Sequence, residues 1–150
     1  MEGIVYRNEA EVADVVRKFE SCTYRPEEFT HARHLTVASW YLATYSAEEA
    51  LLRMREGLHR FLAHHGKKTG YHETITRFWL ELLGDAIRRS PDRPLHERLQ
   101  EVVNRFADKN VLFLYYTREL VMSNEARERW VEPDLQSICV TASVPSTIGG

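Results

Sequence analysis

Four of the seven histidines in this 150-residue chain are spaced so that they could act together. His31 and His34 stand three apart in FTHARHL (29–35), His65 closes a helix-like run before Gly66, and His72 opens the segment GYHETITRFW (70–79). Neutral imidazole is a ligand for zinc, nickel, copper and ferrous iron, and three protein ligands leave a position open for water or substrate. An i, i+3 pair carries both rings on one helical face, as a shared ion requires. At about 100° per residue, His31 and His34 fall within about 30° of the centre of their apolar stripe, and His72 lies as close to its own. Helix N-termini carry partial positive charge, which keeps such rings neutral but opposes a cation, so a carboxylate should assist. Glu73 is nearest in sequence, yet it points about 130° away from the inward direction on a regular helix.

The pattern therefore predicts His31, His34, His72 and His65 as ligands of a divalent metal that would activate water or oxygen on a small molecule. Two other readings fit the same residues. In one, the helix N-termini receive a carboxylate or phosphate in a metal-free small-molecule pocket. Tyr71, Thr76, Tyr115 and Lys68 are then the candidate ligand contacts, with Lys67 or Lys68 as a rim charge. In the other, the histidines form a core hydrogen-bond network with tyrosines or backbone carbonyls, inside an interaction or ligand-sensing module. Whether the chain is an enzyme stays open on these grounds.

Competing motifs are weaker. Glu28-x-x-His31 and Glu56-x-x-His59 have di-iron spacing, but Glu28 precedes the N-cap and Glu56 points away from its stripe. HExxH, a Gly-rich phosphate loop and a nucleophile elbow are all missing from the sequence. Cys22 and Cys139 have no CxxC spacing. His59 and His96 read as surface residues, and His64 as a partner of a helix C-terminus.

The elements that position these groups read as helices. Asn8 with Glu11 forms a capping box before Val12, Val15, Val16 and Phe19. Pro26 then breaks the pattern. A second helix is predicted over 30–45, and Ser46 with Glu49 caps a third, whose stripe is Leu51, Met54, Leu58, Phe61 and Leu62. Gly66 is its stop signal. The fourth starts near Tyr71 and buries Ile75, Trp79, Leu82, Leu83 and Ala86. Pro94 suits the first turn of a fifth, with Leu95, Leu99, Val102 and Phe106 inward. A sixth, apolar on more than one side and therefore central, is expected over 110–122, and Ser123 caps a short last one. Short connections make this an all-α, single-domain bundle of six or seven helices with up-down connections. In such a bundle the second and fourth helices begin where the third ends, which would gather the four histidines at one end.

Residues 1–134 form the bundle in this reading, and 135–150 an extended tail without a charged residue. Alternation at Ile138, Val140 and Ala142 suits a short strand, a frayed terminus, or an arm docking on a second copy to make a homodimer. Composition narrows the partners. A formal net charge of -2 gives no field that would draw the chain to nucleic acid or to an anionic membrane. No apolar run approaches the roughly 20 residues that span a bilayer, and the N-terminus shows no signal-like core, so a cytoplasmic location is expected.

FTHARHLTVASWYL, YHETITRFW and YYTRELVMSNEARERWVEPDL together resemble a family of small bacterial all-helical proteins with FxHxxHLxxAxxYL, YHxTxTxxW and WxxPDL patterns. The matching positions are Phe29, His31, His34, Tyr71, His72, Thr74, Thr76, Trp79, Trp130, Pro133 and Asp134. The resemblance implies a helical fold over about residues 29–135 and carries no activity with it. In layout alone the chain is also similar to the DinB-like four-helix proteins with a three-histidine metal site, from which the i, i+3 spacing departs.

Overall fold

A computed structural model describes residues 3–138, and they form the predicted all-helical bundle. The principal helices are α1 (Glu9–Glu20), α2 (His31–Thr44), α3 (Ala47–His64), α4 (Glu73–Arg89) and α5 (Leu95–Arg105). Two short helices follow, α6 (Arg118–Val121) and α7 (Asn124–Glu128), and 3-10 turns occupy Pro26–Glu28 and Lys109–Leu114. No strand occurs among the described residues. The tail expectation for Val140 and Ala142, and the docking arm, lie outside the described residues, although Ile138 is buried.

Local chemistry sets the helix ends. Asn8, Thr30, Ser46, Thr117 and Ser123 each accept a backbone N–H in the first turn of the helix they open. Helix α3 ends in a Schellman motif: Lys67 N–H reaches the Leu62 carbonyl at 2.9 Å while Gly66 takes φ 73°. The stop predicted at Gly66 is therefore present. At the end of α1 the same left-handed position falls to Cys22, φ 58°, a conformation that costs a side-chain-bearing residue about 1–2 kcal/mol.

Helix α2 is the hub, packing on α1, α3, α4 and α5. Its buried residues, Leu35 through Ser39 and Tyr41, consequently run around most of the helix rather than along one stripe. The N-terminal strand-like segment lies against α5, where Asn104 both donates to and accepts from the Ile4 backbone, at 2.9 and 2.8 Å. Tyr6 reaches further in and shares a hydrogen bond with Thr36 at 2.8 Å.

Two elements differ from expectation. The line buried on α3 is Ala50, Met54, Gly57 and Phe61, and at Gly57 the helix comes close to Phe19 of α1. A Cβ on Gly57 would lie 2.6 Å from the Phe19 ring. The single helix expected over 110–122 is broken instead. Thr117 adopts extended backbone, with its N–H and hydroxyl both held by the Asp134 carboxylate at 2.8 and 2.7 Å. The aromatic residues before it, Phe113, Tyr115 and Tyr116, have only modest helix preference, and a carboxylate 17 positions away holds Thr117 in the extended conformation that breaks the helix.

Candidate functional site

The structure separates the four histidines. His31 Nε2–H donates to the Phe106 carbonyl at 3.0 Å, and its ring meets Trp79 edge-on. His65 Nε2–H donates to the Tyr24 carbonyl at 3.0 Å, over the Phe61 ring. His72 uses both nitrogens: Nε2–H donates to the Val121 carbonyl at 2.7 Å, and Nδ1 accepts the Ile75 N–H at 3.1 Å. His34 packs on Phe29, with ring centroids 5.4 Å apart, and has no hydrogen-bond partner among the described residues.

The predicted ligand set of His31, His34, His72 and His65 is thus not assembled. Among the described residues, no group of three or more His, Cys, Asp or Glu side chains could hold a metal ion. The physical reason lies in the hub position of α2. Rotation tells that His31 and His34 face inward, but inward from α2 leads to several neighbours. His31 turns to the α4–α5 side, and His34 to the aromatic cluster of Phe29, Phe19 and Phe61 between α1 and α3. His72 differs for another reason. It is the N-cap of α4, at φ -135° and ψ 107°, rather than a residue within the helix, so helical rotation does not apply to it.

Three imidazoles therefore tie loop or helix-end carbonyls to the bundle. Phe106 ends α5, Val121 ends α6, and Tyr24 lies in the loop after α1. Burial is the main force lowering the affinity of His31 and His72 for a proton, against the opposing pull of the carbonyls they bond. His34 is held down to about 4, first by burial and then by the neighbouring His31.

A different set of residues forms a groove of about 1220 Å³ between the C-terminal half of α3, the 66–70 turn, the start of α4 and the 127–130 segment. Glu73 lies in its wall, buried, with Arg55 bridging both carboxylate oxygens at 3.1 and 2.6 Å and the Tyr71 hydroxyl donating at 2.6 Å. Burial raises the Glu73 carboxyl, but the Arg55 and Tyr71 hydrogen bonds outweigh it and hold the group below its ordinary range. Burial and the same hydrogen bond push the Tyr71 phenol up to about 12. His59 stacks on Tyr71, with centroids 4.3 Å apart.

Charge in the groove is one-sided. Arg55, Lys67, Lys68, Arg77, Arg127 and Arg129 line it, against Glu73 and Glu128. Arg55 is committed to Glu73, Arg129 sits 3.6 Å from Glu125, and Arg77 lies over the Trp130 ring at 4.8 Å. Lys67, Lys68 and Arg127 have no ion pair among the described residues. Of the ligand contacts expected from sequence, Tyr71 and Lys68 line the groove. Thr76 does not, because its hydroxyl donates to the His72 carbonyl at 2.9 Å inside the protein. Tyr115 packs on Phe78 elsewhere.

His59, Arg55, Arg127 and Trp130 were not legible as site residues. The first two sit on the outer side of α3, and the last two come from a segment that only the fold brings close. The Lys67–Lys68 pair was the available signal. It stands at the Schellman turn, where Lys67 N–H closes the motif, and both residues line the groove. In comparisons with known proteins, no family model, curated protein or solved structure matches this chain.

Proposed function

We propose that this chain is a binding module whose basic groove receives an anionic ligand, and that His72 acts as a strut holding one of the groove's walls. The observation that carries the reading is the convergence of Lys67, Lys68 and Arg127, each without an ion pair among the described residues, on a groove of about 1220 Å³. Cations left unpaired around one groove repel one another, and an anion bound among them relieves that repulsion. The Arg55–Glu73–Tyr71 cluster keeps the wall rigid, since the bidentate pair fixes both side chains where α3 meets α4.

The His72 strut matters to the same groove. His72 fastens the start of α4 to the end of α6, and Thr74 fastens it to the 129–131 backbone through hydrogen bonds of 2.7 and 3.1 Å. These bonds hold the segment of Arg127 and Trp130 at the groove that Lys67 and Lys68 also line.

Thermal unfolding with tripolyphosphate tests the reading. A ligand that binds only the folded state stabilises it by RT ln(1 + [L]/Kd), about 2.7 kcal/mol at 100 times Kd. The wild-type midpoint should rise with tripolyphosphate at low ionic strength, and the rise should vanish in Lys67→Glu/Lys68→Glu. An equal rise in both proteins would refute the groove as the site.

A further inference from the structure

The groove is not closed off at its α4 edge. Arg77, on its wall, is also a wall of a second hollow of about 340 Å³ between α2, α3 and α4. Leu42, Leu51, Leu80 and Gly84 give that hollow an apolar part, and Glu48, Glu81 and Arg88 line the rest of it, so only an uncharged side chain of a ligand suits it. Gly84 widens it: a Cβ there would come into ordinary contact with Arg88 at 3.5 Å and Leu42 at 3.6 Å and take up part of the space. A basic groove and a partly apolar hollow therefore meet at one side chain.

This juxtaposition restricts the ligand. The groove exceeds the roughly 300–1,000 Å³ of small-molecule pockets, so a simple anion would leave most of it empty. A nucleic-acid strand presents a charge at every phosphate, and the Glu128 carboxylate on the wall would meet that row of charges. Base stacking is also poorly served, because Arg77 already covers the Trp130 ring and His59 the Tyr71 ring. A peptide with spaced carboxylates avoids the wall carboxylate, and one apolar side chain of it can enter the hollow beyond Arg77.

Resting on the anion-binding reading, we propose that the groove and hollow together dock an acidic peptide segment of a partner protein, with a large apolar residue of that segment anchored over Leu42, Leu51 and Leu80. Lys67, Lys68 and Arg127 would steer and hold the carboxylates, and the apolar anchor would set the register.

The test is fluorescence anisotropy with two labelled peptides: one of Asp and Glu around a Leu-Phe pair, the other with that pair replaced by Ser-Ser. Tripolyphosphate and a single-stranded oligonucleotide serve as competitors. The Leu-Phe peptide should bind wild type about tenfold more tightly than the Ser-Ser peptide, a difference of ~1.4 kcal/mol. Lys67→Glu/Lys68→Glu should weaken both peptides, whereas Leu51→Asn should weaken only the Leu-Phe peptide. Circular dichroism confirms that each variant is folded. Equal binding of the two peptides, or tighter Lys-dependent binding of the oligonucleotide, overturns the peptide assignment. If tripolyphosphate binds through the lysines while neither peptide does, the peptide assignment fails and the anion-binding reading stands. If none of the probes binds, both fall.

Discussion

The imidazole of His72 and the carbonyl of Val121 are joined by a 2.7 Å hydrogen bond between residues 49 positions apart. The opposite ring nitrogen caps α4 by accepting the Ile75 N–H. Both nitrogens are therefore spoken for, and the ring is neutral with its proton on Nε2. One side chain performs a task normally done by Ser, Asp or Asn and a second that none of them is long enough to perform.

His72→Ala should consequently remove the cap, worth about 1 kcal/mol, and leave a buried carbonyl unpaired at about 1–3 kcal/mol. A total loss of about 2–4 kcal/mol is expected in urea unfolding. His72→Asn should recover only the cap, about 1 kcal/mol of that loss. Full recovery with Asn would show that the Val121 bond contributes nothing.

Much of the architecture was legible because it is written locally. The caps at Asn8, Ser46 and Ser123, and the stop at Gly66, each involve residues within one turn of the helix end. The break at Thr117 was not legible, since Asp134 makes it from a distance. The site misled for a related reason. Periodicity finds the inward side of a helix, but α2 has neighbours on most sides, so inward is not one place. Glu73 illustrates the converse. It was set aside as pointing away from the core, yet it is buried because Arg55 and Tyr71 cover it from the α3 side.

His34 gives a pH dependence with a definite sign. Its affinity for a proton is lowered from the ordinary 6.5 to about 4 by burial and by His31. The unfolded chain therefore binds that proton first as the pH falls. The stability tied to the neutral ring is fully present above about pH 6.5 and is lost progressively as the pH drops to about 4. His31 and His72 are shifted in the same direction and add to the slope. Because His34 has no hydrogen-bond partner among the described residues, His34→Phe should cost little near neutral pH. Near pH 5 it should be more stable than wild type, on the order of 2 kcal/mol. Parallel stability curves for the two proteins between about pH 7 and pH 5 would exclude this origin.

Ser39 is a buried hydroxyl on α2 whose oxygen has no hydrogen-bond partner among the described residues. An unpaired buried polar group costs about 1–3 kcal/mol, and Ala is also the better helix former. Ser39→Ala should raise stability by about 1 kcal/mol, read as a higher urea midpoint at unchanged slope. A lower midpoint would mean that the hydroxyl is satisfied in solution.

Gly57 sets how closely α3 approaches α1. The Cβ added by Gly57→Ala would meet the Phe19 ring at 2.6 and 2.9 Å, and that ring is itself stacked on Phe29 at 4.7 Å. Phe19 is fully buried, so it has no solvent-facing route of retreat. Overpacking of this kind costs about 1–3 kcal/mol even though Ala favours the helix. The loss should shrink when Phe19 is shortened, because the clash is with its ring. In a double-mutant cycle, Gly57→Ala with Phe19→Leu should therefore be less destabilised than the sum of the single variants, by about 1 kcal/mol. Additive losses would place the cost of Gly57→Ala in the backbone instead of in the contact with Phe19.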